Sequence, residues 1–259
     1  MVKVRNVEIG SGMPKICAPI IESTQDAILE MAEELNIREV DIVEWRIDFC
    51  EDIDDIETMI QTSSLLRSVL GNKPILITFR TKSEGGNREI DFAKYSAILT
   101  KMAQSGNIDL IDVEMFTCDR NLSDNVEEND IISLVSQLKK SVKVIGSYHN
   151  FDTTPCTDEI MDRLNTMIKR GVDIAKIAVM PKSRRDVLRL MEATELVSEG
   201  VENTPIISMS MGAMGLVSRI AGESFGSSVT FGCIGRPSAP GQIDVRELKH
   251  ILEINHGEI

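Results

Sequence analysis

Lys176 sits inside an apolar run, Ile174-Ala175-Lys176-Ile177-Ala178-Val179, that reads as a β-strand. A lysine in such a strand loses hydration. Its ammonium form is penalised, and a fraction of free amine can attack a carbonyl as a Schiff-base nucleophile. The same placement suits a lysine in a buried ion pair with Glu44, Asp112 or Glu114, and the strand by itself does not choose between them. His149 ends another run, Val142–Tyr148, and is one of three histidines. At a strand end an imidazole can move protons near neutral pH, or simply satisfy a local hydrogen bond. His250 and His256 are expected to be exposed in the C-terminal segment. One such histidine cannot build a histidine-rich zinc site, and the carboxylates match no magnesium motif, so no metal is expected.

Other polar pairs fall two residues apart at the ends of apolar runs: Glu44 and Arg46, Thr78 and Arg80, Asp112 and Glu114, Ser147 and His149. Residues i and i+2 of a strand share a face, so each pair points one way. At the seventh run the pattern leaves two readings, Ser208 with Ser210 or Met209 with Met211. Arg46, Arg80, Arg219 and Lys176 would gather positive charge in a chain of net charge −13. That favours an anionic substrate, since arginine pairs bidentately with carboxylate or phosphate. The plainer reading is a solvated rim of salt bridges. Gly212-Ala213-Met214-Gly215 and Gly232-Cys233-Ile234-Gly235 suit either a phosphate or tight turns. Ser83–Asn87 reads as a flexible loop, and Arg236–Gln242 as a candidate lid offering Ser238 and Gln242 to hydroxyls.

The elements that must position these groups are short apolar runs, each followed by an amphipathic stretch. The runs are Ile16–Ile21, Val40–Ile47, Pro74–Phe79, Ile108–Val113, Val142–Tyr148, Ile174–Val179, Pro205–Met209 and Ser228–Phe231. Most are rich in Ile and Val, as strands buried on both faces are. Helices are expected over Thr24–Leu35, Asp91–Ser105, Thr157–Arg170, Ser183–Glu199 and Asp244–Ile254, with Ser183 as an N-cap and Gly106 and Gly171 as stops. Eight alternating units fit an α/β fold of the (β/α)8 TIM-barrel type better than an open sheet. Val2–Ile9 is expected to add a strand or hairpin closing the barrel floor. In such a barrel the C-terminal strand ends form the active-site mouth, where all the polar pairs above would converge. A chain of 259 residues suits a single catalytic domain over 1–259.

Composition narrows the function classes. The acidic balance disfavours nucleic acid and anionic membranes as partners. No run approaches the roughly 18 apolar residues of a membrane span, and the N-terminus lacks a signal-peptide core. Cys17, Cys50, Cys118, Cys156 and Cys233 are scattered and odd in number. They are expected to be buried thiols in a reducing compartment, and the protein to be cytoplasmic.

In this order and at these positions, the motifs resemble the type I 3-dehydroquinate dehydratases, the Schiff-base class of the shikimate pathway. The matching segments are Met13-Pro14-Lys15-Ile16, Glu44-Trp45-Arg46-Ile47-Asp48, Thr78-Phe79-Arg80, Glu84-Gly85-Gly86 and Ile111-Asp112-Val113-Glu114. They continue with Ser147-Tyr148-His149-Asn150-Phe151, Ala175-Lys176-Ile177-Ala178-Val179-Met180, Met209-Ser210-Met211-Gly212, Ser218-Arg219, Phe231-Gly232 and Ser238-Ala239-Pro240-Gly241-Gln242. The resemblance implies that Lys176 forms an imine with the C3 ketone of 3-dehydroquinate. It implies that His149 removes the C2 proton and helps expel the C1 hydroxyl, with Glu84 orienting it. Arg219 would clamp the substrate carboxylate. Glu44, Arg46 and Arg80 would hold the hydroxyls and ring, and Ser238 and Gln242 would close the lid. The product would be 3-dehydroshikimate, with no cofactor and a homodimeric enzyme. A class I aldolase would share the lysine but commonly takes phosphorylated substrates. A catalytically dead binding barrel and a metal-dependent hydrolase are the readings from other classes.

Overall fold

The computed structural model describes residues 1–117, 126–201 and 204–257; Cys118 lies outside them. Two short strands open the chain, β1 (Val2–Val4) and β2 (Val7–Ile9), paired antiparallel. Eight strands follow: β3 (Lys15–Ile20), β4 (Ile42–Arg46), β5 (Ile75–Thr78), β6 (Leu110–Glu114), β7 (Lys143–Asn150), β8 (Ile174–Val179), β9 (Ile206–Ser210) and β10 (Val229–Phe231). All neighbours are parallel, in the order β10-β3-β4-β5-β6-β7-β8-β9. The Ser228 N–H donates to the Ile206 carbonyl at 2.8 Å, and Ile206 bridges Ser227 in parallel, which closes the sheet into a barrel.

The helices start where the sequence supplies caps. Thr24 accepts from the Ala27 N–H ahead of α1 (Gln25–Asn36), and Asp91 from the Lys94 N–H ahead of α3 (Phe92–Gln104). Ser183 and Asp186 form a reciprocal capping box at α6 (Arg184–Gly200). The series also includes α2 (Ile56–Leu70), α4 (Glu128–Leu138), α5 (Thr157–Lys169), the five-residue α7 (Leu216–Ile220) and α8 (Val245–His256). Among the described residues no helix is long and apolar enough to cross a membrane.

Alternation along each strand divides two cores. One side chain in two faces the helices. The others fill the barrel interior, where Cys17, Ile42, Leu76, Leu110, Ile145, Ile174, Ile207 and Val229 form an apolar plug. Val2, Val4, Val7 and Ile9 belong to that same cluster, so the β1–β2 hairpin closes the floor. Its turn places Arg5 at φ 53 and pairs it with Asp109 at 2.6 Å. Above the plug, toward the C-terminal strand ends, the inward positions turn polar. Cys17, Cys50 and Cys233 are buried, but Cys156 is exposed. The expectation of uniformly buried thiols fails there because Cys156 stands at the N-cap of α5, outside the core.

Candidate active site

The nine residues singled out from sequence, Glu44, Arg46, Arg80, Glu84, His149, Lys176, Arg219, Ser238 and Gln242, line one cavity at the mouth. Strand register explains the convergence. Glu114, Ser147 and Lys176 lie level on β6, β7 and β8, while His149 lies level with Ala178 and Met209, one pleat nearer the mouth. At β9, Met209 and Met211 face the cavity, and Ser208 turns outward to accept a hydrogen bond from Thr194 at 2.8 Å. Met209, Met211, Phe231 and Ala178 therefore supply the apolar part of the lining.

Lys176 is 3% exposed. Its Nζ donates to Asp112 Oδ2 at 3.0 Å, lies 4.0 Å from Glu44 Oε1, and sits 4.7 Å above the Phe231 ring centre. Asp112 also accepts from Ser147 Oγ at 2.5 Å, and Arg80 Nη2 lies 2.8 Å from its Oδ1, off hydrogen-bond angle. Burial pushes the Asp112 carboxyl up, but Arg80, then Lys176 and Ser147, outweigh it and hold it at about 2. Asp112 is thus a fixed anion at any pH where the enzyme works. Cys17, below it, is no rival nucleophile: burial, then Glu44, pushes its thiol well above the ordinary range.

Arg80 is the hub of the anionic cluster. Its Nη1 donates to Glu114 at 3.0 Å, to Ser147 Oγ at 3.0 Å and to Glu84 at 3.3 Å. Burial opposes its charge, but Asp112, Glu114 and Glu84 hold the guanidinium above its ordinary value. Arg46 is fixed by Asp48 through two bonds of 2.8 Å, and Asp48 also accepts from the Arg80 and Asn87 N–H groups.

Glu84 ends a 3-10 turn, Lys82–Glu84, and is buried. The expected flexible loop is a tightly held one. Thr81 bonds Glu114 through both its N–H (2.8 Å) and its hydroxyl (2.7 Å), and the Glu84 and Gly86 N–H groups return to the Thr81 carbonyl. A side chain at Gly86 would overlap the Arg80 carbonyl, so this glycine serves close approach rather than mobility. Glu84 Oε2 accepts from the His149 N–H at 3.1 Å and lies 2.8 Å from His149 Nδ1. That contact fixes the ring and leaves Nε2 as its other nitrogen.

Arg219 comes from α7, which Ser218 pins in place by accepting from the Ser210 N–H at 2.8 Å and donating to the Gly215 carbonyl at 2.7 Å. It is 1% exposed, yet it pairs with no carboxylate among the described residues. Nη2 donates to the Pro240 carbonyl at 3.0 Å, Nη1 contacts Met209 Sδ and the Phe231 carbonyl, and Nε finds no acceptor among the described residues. Burial pushes this guanidinium down to about 10, with only Cys233 in opposition. A buried cation with an unmet donor is what an incoming carboxylate would satisfy. Across the mouth, the Ser238 N–H donates to Gln242 Oε1 at 2.8 Å, and Gln242 Nε2 to Ser238 Oγ at 3.0 Å. This segment docks on the loop after β9, where the Gly212 N–H meets the Pro240 carbonyl and Gly241 lies against Gly212. These glycines serve close packing of the two loops.

Of the ion-pair partners that the sequence offers for Lys176, the structure places Asp112 at 3.0 Å and Glu44 at 4.0 Å. Asp48 carries no role in the sequence reading, because it lies in the 3-10 turn Ile47–Phe49, past the alternation of β4, and acts only by holding Arg46.

A family model described as Type I 3-dehydroquinase matches residues 16–259. Curated relatives include a 3-dehydroquinate dehydratase of Listeria monocytogenes serotype 4b, 46% identical over 256 residues and covering 98% of both chains. Another from Clostridium botulinum is 46% identical over 262 residues, covering 100% of this chain and 99% of its own. Among solved structures, the type I 3-dehydroquinate dehydratase of Clostridium difficile with covalently modified comenic acid has a TM-score of 0.92 at 42% identity, covering 100% of this chain and 98% of that one. The 3-dehydroquinate dehydratase of Geobacillus kaustophilus has a TM-score of 0.90 at 38% identity, covering 98% and 95%.

Proposed function

The chain belongs to the type I 3-dehydroquinase family, hydro-lyases that dehydrate 3-dehydroquinate to 3-dehydroshikimate through a lysine Schiff base in the shikimate pathway, and we propose that Lys176 is the lysine that does so here. The observation that carries the assignment is the cavity itself: one buried amine shares it with a carboxylate-held histidine and a buried arginine that pairs with no anion among the described residues.

Nζ of Lys176 gives up a proton and attacks the C3 ketone as the free amine; that proton and one further N–H proton end on the former ketone oxygen, which leaves as water, and an iminium remains. Ammonium and iminium carry the same charge, so Asp112 pairs with both and holds the nitrogen throughout. The iminium draws electrons from C2, and His149 removes the C2 proton. Collapse of the enamine expels the C1 hydroxyl, which takes the proton back from His149 and leaves as water. A second water hydrolyses the imine, releasing 3-dehydroshikimate and the lysine. Glu84 keeps the imidazole aimed. Arg219 binds the carboxylate, Glu44, Arg46 and Arg80 hold the hydroxyls and ring, and Ser238 and Gln242 close over them. The apolar wall of Met209, Met211 and Phe231 keeps bulk water from the imine.

The same reading takes 1–259 as one catalytic barrel domain, acting as a cytoplasmic homodimer without a cofactor. The domain rests on the shared eight-stranded barrel, and the rest on family likeness. Sedimentation tests the dimer. Appearance of the conjugated enone absorbance from 3-dehydroquinate, with sugar phosphates inert, tests the activity.

A further inference from the structure

Glu84 and His149 reach one another past the end of β6. Glu84 belongs to the turn after β5 and His149 to β7, and β6 between them ends its pairing at Ser147, so no backbone ladder joins the two. Glu84 Oε2 makes the contact on its own side. On the far side, one residue past Glu84 and two past His149, Gly85 meets Phe151. A Cβ built on Gly85 would lie 2.3, 2.5 and 2.7 Å from three atoms of the Phe151 ring, so the ring rests directly on the Gly85 α-carbon. Gly85 also holds φ +80, which side chains rarely adopt.

Phe151 has a second property. It lines both the catalytic cavity and a separate groove outside it, bounded by Lys82, Ser83, Tyr148, Asn150 and Arg163. Gly85 and His149 line both as well. Phe151, Gly85 and His149 therefore form together the thin partition between the catalytic cavity and the outer groove.

We propose that Phe151, seated on Gly85, is a positioning residue that holds the Glu84 turn against the His149 strand end. This rests on the reading of His149 as the proton-transfer group. An aromatic ring fits the task because it is flat enough to lie on a glycine and has few rotamers to lose. Without it, the turn and the strand end lose their apolar contact. Imine formation at Lys176, on the next strand and one pleat deeper, does not depend on that contact.

The test is a cycle of Phe151→Ala, Gly85→Ala and the double variant, with Phe151→Leu as the conservative replacement and His149→Ala as reference. Steady-state kinetics on 3-dehydroquinate are read beside borohydride trapping of the imine, which reports a folded, competent barrel. Phe151→Ala is expected to lower kcat by at least about 10-fold with KM within about 3-fold and trapping intact, and Phe151→Leu to restore most of kcat. Gly85→Ala, whose methyl displaces the ring, should show the same loss. The double variant should be no worse than the poorer single, because both break one contact. If Phe151→Ala raises KM and keeps kcat, the ring is only a substrate wall and the proposal falls. Losses that multiply in the double variant also overturn it, as does a Phe151→Leu as slow as Phe151→Ala. Near-normal kcat in His149→Ala sinks the underlying acid–base reading and this inference with it. Impaired His149→Ala beside unimpaired Phe151→Ala sinks this inference alone.

Discussion

Nζ of Lys176 lies 3.0 Å from Oδ2 of Asp112, and Arg80 and Ser147 hold that carboxylate from its other side. The proposed nucleophile is thus set within a buried ion pair whose anion is held well below the usual carboxylate range. The pair favours the ammonium, so a proton must leave Nζ before it attacks, and the same carboxylate faces the positive charge again once the iminium has formed. Asp112 orients Nζ and steadies the iminium. It is too weak a base to take the lysine's proton, which must leave by another group.

Asp112→Asn should therefore slow both formation and hydrolysis of the imine. Rapid-quench trapping with borohydride would measure this, with single-turnover imine formation expected to fall on the order of 10- to 100-fold while substrate affinity changes little. Unchanged trapping kinetics would remove Asp112 from the mechanism.

The same carboxylate gives a pH signature in stability. Its folded value of about 2 lies below the ordinary 3.8. Its contribution is therefore present above about pH 4 and is lost as pH falls toward 2, and the shift corresponds to roughly 2 kcal/mol. Urea unfolding followed from pH 5 to pH 2 should show a shallower acid loss in Asp112→Asn than in the parent enzyme. Parallel curves would show that the acid limb belongs to other groups.

Arg219 is costly where it stands. Burial without an anion pushes it down to about 10, so replacing it by a methionine of similar bulk should leave the melting temperature unchanged or raised. KM should rise by two orders of magnitude or more, since a charge-assisted bidentate contact is lost. Carboxylate analogues of the substrate should raise the melting temperature of the parent but not of Arg219→Met.

Ser238 and Gln242 now bond one another across the lid turn. Removing either side chain should raise KM by about 10-fold and leave trapping at Lys176 intact, because neutral hydrogen bonds are each worth about 1 kcal/mol. A loss confined to kcat would instead mean that the lid shapes the transition state.

How much of this could be read from sequence depended on whether a residue acts alone. Lys176 interrupts an apolar strand and His149 ends one, and both signals are local. The barrel followed from repetition, and the floor hairpin from alternation of Val2 and Val4 with Lys3 and Arg5. The helices α2 and α4 went unnamed. In α2, buried Thr62 and Ser63 blur the apolar stripe. Alternation could not decide between Met209 and Ser208, because β9 is buried on both faces. The role of Asp112 depends on barrel curvature, which brings β6 against a lysine two strands away. Glu84-Gly85-Gly86 looked flexible because glycine signals both mobility and close approach, and only the neighbouring Arg80 carbonyl and Phe151 ring distinguish them.

His149 separates proton transfer from covalent capture. His149→Ala should still form the imine, and kcat should fall on the order of 100- to 10,000-fold. A variant with near-normal kcat would place the acid–base step elsewhere.

The most direct test of the central claim is borohydride reduction in the presence of 3-dehydroquinate, followed by peptide mass spectrometry. The account predicts a single reduced adduct on Lys176, absent without substrate and absent in Lys176→Met. An active enzyme that shows no adduct at Lys176, or carries it on another lysine, would contradict it.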